Sequence, residues 1–227
     1  MKKAKKLAIY LLLPRMCLCL SVAFLIKGNK VSAEEAKTFE MKSVAVRLDA
    51  NTPALRFTGA MTDAYYRNAI AGNGENGKDV SFGALIIPAK WITEHNLEAG
   101  NYIPSLREKL QNENDIEKWM TNSKAFQNVD AEGVLINAED TNWYIQASKE
   151  ITTYNNWNDE FVAIGFVKTV IAEGETTYQY AAFDEKNYRN ATNAAFASLN
   201  VSGYEDNETL QEIAVKGVYQ MNGETET

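Results

Sequence analysis

Cysteine is almost absent from this chain of 227 residues, and its two cysteines, Cys17 and Cys19, both lie in the first 33 residues. That segment is typical of a signal peptide, with a lysine-rich start, an apolar run from Met16 to Ile26 that only Ser21 interrupts, and a small-x-small cleavage site at Val31-Ser32-Ala33. We therefore expect cleavage after Ala33 and secretion of a mature chain without cysteine, like exported proteins of Gram-positive bacteria. Such a chain excludes disulfides, thiol catalysis and thiolate metal sites.

The leader has two possible fates other than cleavage by signal peptidase: lipidation and retention as a membrane anchor. A lipoprotein needs a small residue before its modified cysteine, and Met16 and Leu18 stand there instead. A retained membrane anchor stays open as an alternative, because Pro14, Arg15 and Ser21 are the only interruptions of the apolar stretch Leu7–Ile26. An arginine near the middle of such a span costs about 2.5–3.5 kcal/mol, which favours cleavage.

Positive charge is also scarce once the leader is removed. The leader holds seven of the 23 lysines and arginines and no acidic residue, so residues 34–227 carry 16 basic and 30 acidic residues. Their formal charge is −14, compared with −7 for the full chain. A body this acidic repels phosphate backbones and anionic lipids. We therefore expect neither a nucleic acid nor, after cleavage, a membrane as a partner.

Histidine is nearly as scarce as cysteine, because His95 is the only one. A Ser-His-Asp triad would have to use it, and a histidine-based zinc site lacks further ligands. The chain has no Gly-x-Ser-x-Gly nucleophile elbow and no glycine-rich loop that leads from a strand into a helix, as phosphate-binding loops do. These absences favour binding over catalysis, and His95 is expected to be a surface loop residue.

Alternating apolar residues predict strands through much of the chain. Between positions 161 and 167, the odd-numbered and the even-numbered positions are all apolar or glycine, so we expect this strand to be covered on both faces. A turn at Glu173-Gly174-Glu175 would join it to the next strand as a hairpin. The predicted strands are 43–48, 55–61, 80–87, 133–137, 142–151, 161–171 and 176–183.

Helical spacing appears near the end of the chain, over 188–199 and 210–221. A capping-box pattern at Ser105–Glu108 predicts the start of a further short helix. Strands followed by helices favour a mainly β, α+β fold: an antiparallel β-sandwich of about seven strands with two C-terminal helices packed on one side or end. We expect a single domain over residues 43–221, preceded by a flexible lead-in at 34–42.

Three short motifs occur in a characteristic order: Arg56-Phe57, Gly83–Pro88 with the letters GALIIP, and Trp157–Phe161 with the letters WNDEF. Their order resembles an uncharacterised module of secreted Firmicutes proteins, which has an RF strand, a G-x-L-I-x-P strand and a Y/W-(N/D)-x-E-(F/I) turn. The second motif has one extra residue here, and residues 163–166 read AIGF where that module often has A-R-A-Y. The resemblance implies a secreted β-sandwich, often attached to other extracellular modules, without an established reaction.

Aromatic residues at strand ends and in loops are the strongest binding signal. Sugar rings stack on flat aromatic faces, and neighbouring asparagines can form hydrogen bonds to their hydroxyls. The alternative is that one ring of each adjacent pair faces the core. The candidate ligand-binding residues are Tyr65, Tyr66, Trp143, Tyr144, Tyr154 and Trp157.

Acidic residues suggest three further roles. The pairs Asp159-Glu160 and Glu139-Asp140 could supply carboxylates for glycoside hydrolysis, although adjacent strand residues point to opposite faces. Arg56 and Glu160 could form a structural ion pair. No cofactor is expected apart from structural calcium, whose candidate donors are Asp184-Glu185, Asp159-Glu160 and Glu205-Asp206.

These observations together predict a secreted, non-catalytic extracellular module that binds a glycan or a protein partner. A small carboxylate-dependent glycoside hydrolase is one alternative, and a purely structural or assembly domain is another. No catalytic residue and no metal ligand is assigned by the sequence.

Overall fold

The computed structural model describes residues 38–48, 52–71, 79–110, 113–150, 157–171 and 175–221, all of which belong to one compact unit. The predicted leader, Glu173 and Gly174 of the predicted turn, and Tyr154 lie outside the described residues. Across the part of the chain that is described, no helix combines the length and the apolar character needed to cross a bilayer.

The described residues form a mainly β fold with helices, which confirms the expected α+β class. The α-helices are α1 (Asp63–Ala71), α2 (Trp91–Glu94), α3 (Tyr102–Lys109), α4 (Ala191–Leu199) and α5 (Glu208–Met221), and 3₁₀ helices cover Glu113–Trp119 and Glu185–Asn187. The strands are β1 (Phe39–Arg47), β2 (Ala54–Met61), β3 (Val80–Pro88), β4 (Met120–Ser123), β5 (Trp143–Glu150), β6 (Phe161–Val170) and β7 (Thr176–Tyr180).

The strands form two antiparallel sheets, with the order β1-β2-β5 in one and β4-β3-β6-β7 in the other. In the first sheet Phe57 lies opposite Val44 on one side and Ala147 on the other, so apolar side chains share one face. In the second sheet β3 pairs with β6 over nine residue pairs, from Val80↔Thr169 to Pro88↔Phe161. The apolar faces of both sheets contribute to one core.

Backbone bridges join the outer strands of the two sheets on both sides. Ala182, just after β7, donates to Phe39 O at 2.8 Å and accepts from Met41 N at 2.9 Å. Phe126, just after β4, exchanges two hydrogen bonds with Tyr144 of β5, at 2.7 and 2.9 Å. Backbone pairing therefore continues around all seven strands, and the sandwich is closed like a flattened barrel.

Glycines make room for the large side chains of β1 inside this barrel. A Cβ atom on Gly165 would lie 2.8 Å from Phe39 Cζ and 3.0 Å from Met41 Sδ. A Cβ atom on Gly59 would lie 3.2 Å from both of those side chains. Phe39 and Met41 thus fill the space that two facing strands leave open.

A second core lies on the outer face of β3 and β6. Val162, Ile164 and Phe166 belong to this core, whereas Phe161, Ala163 and Val167 face the barrel interior. Helix α3 and the 3₁₀ helix 113–119 cover the outer face with Ile103, Leu106 and Ile116. The prediction that this strand is covered on both faces is therefore confirmed.

The C-terminal helices pack against the barrel core, as expected. Helix α4 packs mainly against α5 and, among the strands, mainly against β1, and Ala194, Leu210 and Ile213 are buried in the barrel core cluster. Asn190 caps α4 by accepting a hydrogen bond from Asn193 N at 2.7 Å. Helices α4 and α5 therefore cover a part of the barrel core that the two sheets do not cover.

Several sequence predictions differ from the structure. Strand β1 begins at Phe39, inside the stretch 34–42 that was expected to be a lead-in. Residues 133–137 form only the isolated bridge Val129↔Leu135, because Asp130 Oδ1 accepts from two backbone N–H groups and holds a turn there. The seventh strand is β4 instead. Ser105 lies inside α3 rather than at its start, since α3 begins at Tyr102.

Candidate functional site

Tyr66 and Trp143, two of the expected ligand-binding residues, stack on each other. Helix α1 carries Tyr66, whose ring lies 3.7 Å from that of Trp143 at 12° and 5.6 Å from that of Phe82 at 24°. Trp143 Nε1 donates a hydrogen bond to Asp63 Oδ1 at 2.9 Å. The side chains of Tyr66 and Trp143 are partly buried against the barrel core, so their contact attaches α1 to the barrel.

Three other expected residues do not join this pair. Tyr144 follows Trp143 in β5 and therefore points to the opposite face, where its hydroxyl donates to Asp140 Oδ2 at 2.5 Å. Trp157 is only 9% exposed and belongs to the barrel core. Tyr154 lies outside the described residues. The six candidates therefore do not form one platform.

Tyr65 lines an aromatic cleft of about 470 Å³, together with Tyr102, Tyr180 and Phe183. These rings come from α1, from the start of α3 and from the end of β7 and the segment after it. Thr38 and Glu40 of the β1 region add polar groups to the lining. The fold thus collects four aromatic side chains from separate parts of the chain on one cleft.

Contacts between these rings fix the shape of the aromatic cleft. Tyr102 meets Tyr180 edge to face at 5.2 Å and lies 5.5 Å from Phe183. The hydroxyl of Tyr180 accepts a hydrogen bond from Ile103 N at 3.0 Å, which ties the start of α3 to β7. Tyr65 Oη donates to Gln179 Oε1 at 3.1 Å. All four rings are therefore held by specific contacts.

Burial controls the protonation of the cleft tyrosines. Desolvation raises the pKa of Tyr180 to about 12, and it also raises the pKa values of Tyr65 and Tyr102. The three phenols are therefore neutral at physiological pH. They offer apolar faces and neutral hydroxyl groups to a ligand.

A second cleft of about 380 Å³ adjoins the aromatic cleft and shares Glu40, Ala182 and Phe183 with it. Both follow the seam where β1 pairs with Ala182. We call the two clefts together the seam groove. The charged residues of the second cleft are Glu40, Lys42, Asp184, Lys186 and Arg189.

The candidate catalytic carboxylates lie at two separate places in the chain: Glu139 and Asp140 precede β5, and Asp159 and Glu160 precede β6. Hydrogen bonds from Tyr144 and Asn142 hold the pKa of Asp140 below its usual value, so Asp140 is ionised at neutral pH. Glu160 uses its backbone carbonyl to accept from Ala89 N at 2.8 Å. Within the described residues, no group of three or more histidine, cysteine or acidic side chains could hold a metal ion.

The ion pair between Arg56 and Glu160 stays a prediction. Arg56 lies in β2 of the first sheet, whereas Glu160 directly precedes β6 of the second sheet. Arg56 lines a separate cleft beside Val201 and Tyr204, near the C-terminal helices. His95 packs edge to face on Trp91 at 5.1 Å, next to the end of α2.

Sequence reasoning did not identify Tyr102, Tyr180 and Phe183. They are separated from Tyr65 by about 40 to 120 positions, so only the folded chain brings them together. The alternation of Tyr178 and Tyr180 in β7 was the available signal. No protein-family model, curated protein or solved structure matches this chain. The function is therefore inferred from the site itself.

Proposed function

We propose that this protein is a secreted, non-catalytic binding module whose aromatic cleft holds a carbohydrate. The observation that carries the proposal is the convergence of Tyr65, Tyr102, Tyr180 and Phe183 on one cleft with a polar rim. Secretion follows from the sequence pattern of residues 1–33, and the order of motifs that resembles a secreted Firmicutes module agrees with it.

The chemistry of the aromatic cleft matches that of a sugar. A pyranose ring has apolar C–H faces and a hydroxyl edge, so it gains from flat aromatic walls with neutral donors and acceptors beside them. The tyrosine hydroxyls are neutral, and Thr38 and Glu40 contribute polar atoms at the rim. A cleft of about 470 Å³ falls in the size range of small-ligand sites.

Affinity electrophoresis in gels that contain soluble polysaccharides tests this function, with Tyr102→Ala as the key variant. We expect one polysaccharide class to slow the wild-type protein, and Tyr102→Ala to weaken that binding about tenfold, because loss of an aromatic contact costs about 1–1.5 kcal/mol. Tyr219→Ala is the matched control, since Tyr219 is 46% exposed on α5 and does not line the aromatic cleft.

Two outcomes would contradict the proposal. One is no retardation by any polysaccharide, and the other is equal binding by the wild-type protein and Tyr102→Ala. Thermal unfolding of each variant checks that the fold is intact. A Tyr102→Phe variant keeps the ring and should bind nearly as well as the wild type.

A protein partner is the second candidate, favoured by an exposed apolar segment at 126–136. Val134 and Ile136 are 61% and 65% exposed there, and Phe126 and Val129 are exposed as well. Apolar surface of this kind often marks protein contacts. The variant Val134→Asp/Ile136→Asp separates the two candidates, because it should abolish capture of a protein partner and leave polysaccharide binding unchanged.

A further inference from the structure

We infer that the carbohydrate is acidic, with carboxylate or sulfate groups that lie in the second half of the seam groove. This inference rests on the proposed function and adds the charge of the ligand to it. Three observations carry it: the adjacency of the two clefts, the separation of aromatic from charged residues along them, and the local excess of cations.

The two clefts adjoin each other, because they share lining residues. Glu40, Ala182 and Phe183 belong to both, and these residues lie where β1 pairs with the segment after β7. An oligosaccharide with one ring against Tyr102 would therefore place its neighbouring ring next to the second cleft.

The second cleft concentrates positive charge on an acidic protein. It contains three cations, Lys42, Lys186 and Arg189, and two carboxylates, Glu40 and Asp184. Residues 34–227 as a whole have almost twice as many acidic as basic residues. The second cleft therefore has more cations than carboxylates, whereas residues 34–227 as a whole have fewer. This local excess of positive charge favours binding of an anionic ligand at the second cleft over binding elsewhere on the surface.

The cations keep donor capacity for a ligand although some are paired. Lys186 is 3.7 Å from Asp184 with its side chain 89% exposed, and Lys42 pairs with Glu40 near the shared rim. Arg189 donates from Nη1 to Tyr188 O at 2.6 Å, which uses one of its five N–H groups. Exposed ion pairs of this kind are weak, so a carboxylate or sulfate can compete for these donors.

Isothermal titration calorimetry with three soluble polymers tests the inference: polygalacturonate as the carboxylated probe, dextran sulfate as the sulfated probe and dextran as the neutral probe. We expect the wild-type protein to bind at least one acidic polymer, with an affinity that falls between 50 and 200 mM NaCl. The variant Lys186→Gln/Arg189→Gln should bind that polymer about tenfold more weakly and with a smaller salt dependence. The control is Lys118→Gln, which removes an exposed, paired lysine from the 3₁₀ helix 113–119 outside the groove.

The outcomes separate this inference from the proposed function. Binding to dextran alone, or acidic binding that Lys186→Gln/Arg189→Gln leaves unchanged, overturns the acidic ligand but leaves the aromatic cleft as a carbohydrate site. Equal loss in Lys118→Gln and in the double variant shows nonspecific charge attraction and also overturns the inference. Binding that requires Lys186 and Arg189 but not Tyr102 contradicts the proposed function, and binding to no polymer contradicts both.

Discussion

At the residue scale, Asp63 shows how a single side chain fastens a helix to the barrel. Its Oδ1 accepts from Trp143 Nε1 at 2.9 Å and its Oδ2 accepts from Arg67 Nε at 2.6 Å. These hydrogen bonds, first from Arg67 and then from Trp143, lower the pKa of Asp63 below its ordinary value of 3.8. The hydrogen bond from Trp143 keeps α1 close to β5, and α1 carries Tyr65 of the aromatic cleft.

Substitution of Asp63 should separate its two contacts. Asp63→Asn keeps an oxygen for the Trp143 indole and loses an exposed ion pair, so we expect it to cost less than about 0.5 kcal/mol. Asp63→Ala loses both contacts and should cost about 1–1.5 kcal/mol. Urea unfolding near pH 7 measures both values, and equal costs for the two variants would show that the indole hydrogen bond is unimportant.

The pH dependence of this contact has a definite sign. Because the pKa of Asp63 is lower in the folded state, its charge stabilises the protein above the unfolded pKa. That contribution is lost as the pH falls through the folded value. We therefore expect the difference between the wild type and Asp63→Ala to shrink when urea unfolding is repeated near pH 3 or below.

At the element scale, the turn before β6 connects the barrel to both C-terminal helices. Asn158 Nδ2 donates to Gly217 O of α5 at 2.8 Å, and Thr192 Oγ1 of α4 lies 2.8 Å from Asn158 Oδ1. Trp157, the neighbour of Asn158, is buried in the barrel core. The WNDEF motif is therefore a structural joint in this protein, and its tryptophan does not supply a binding surface.

Gly217→Ala tests the close approach of the two C-terminal helices. Helix propensity alone predicts that alanine stabilises α5 by up to about 1 kcal/mol. The added Cβ would instead lie 1.9 Å from Thr192 Oγ1, and Thr192 is fully buried. We expect overpacking to dominate and to destabilise the protein by about 1–3 kcal/mol in urea unfolding. A stabilised variant would contradict the observed helix contact.

Local patterns in the sequence predicted some elements well and others not at all. The strand at 161–170 begins with a continuous apolar run and the two C-terminal helices have helical periodicity, and the structure contains all three within a few residues. Strand β4 has only four residues and little alternation of apolar and polar residues. Its extended conformation therefore depends on its pairing with β3. Residues 133–137 have alternation, but Asp130 turns the chain there before a ladder can form. A tertiary contact settles the first case, and a local side-chain hydrogen bond settles the second.

The aromatic residues illustrate the same limit at the site. In the sequence, candidate binding residues were aromatic residues at strand ends and in loops. That criterion selected Tyr66, Trp143 and Trp157, whose side chains pack against or within the barrel core. Tyr65 was selected for the same reason, and it does line the aromatic cleft. Tyr102 and Tyr180 meet it only because α3 lies outside β6 and β7, which no local pattern encodes.

At the scale of the whole molecule, closure of the barrel organises both stability and the site. The bridge between Glu40 and Ala182 completes the ring of backbone pairing, and both residues also line the seam groove. A closed ring leaves few free strand edges, which limits association through added strands. The seam groove therefore lies where β1 pairs with Ala182, the same contact that closes the barrel.

Mapping of the bound carbohydrate by ¹H–¹⁵N NMR tests the central claim most directly. The polymer retained most strongly is titrated as short oligosaccharides into the labelled protein. We predict shifts confined to the amides of the seam groove, including Glu40, Gly100, Tyr102, Ala182 and Lys186, with Val134 and Tyr219 unchanged. Shifts confined to the segment 126–136 or to α5, with the groove amides unchanged, would contradict the claim.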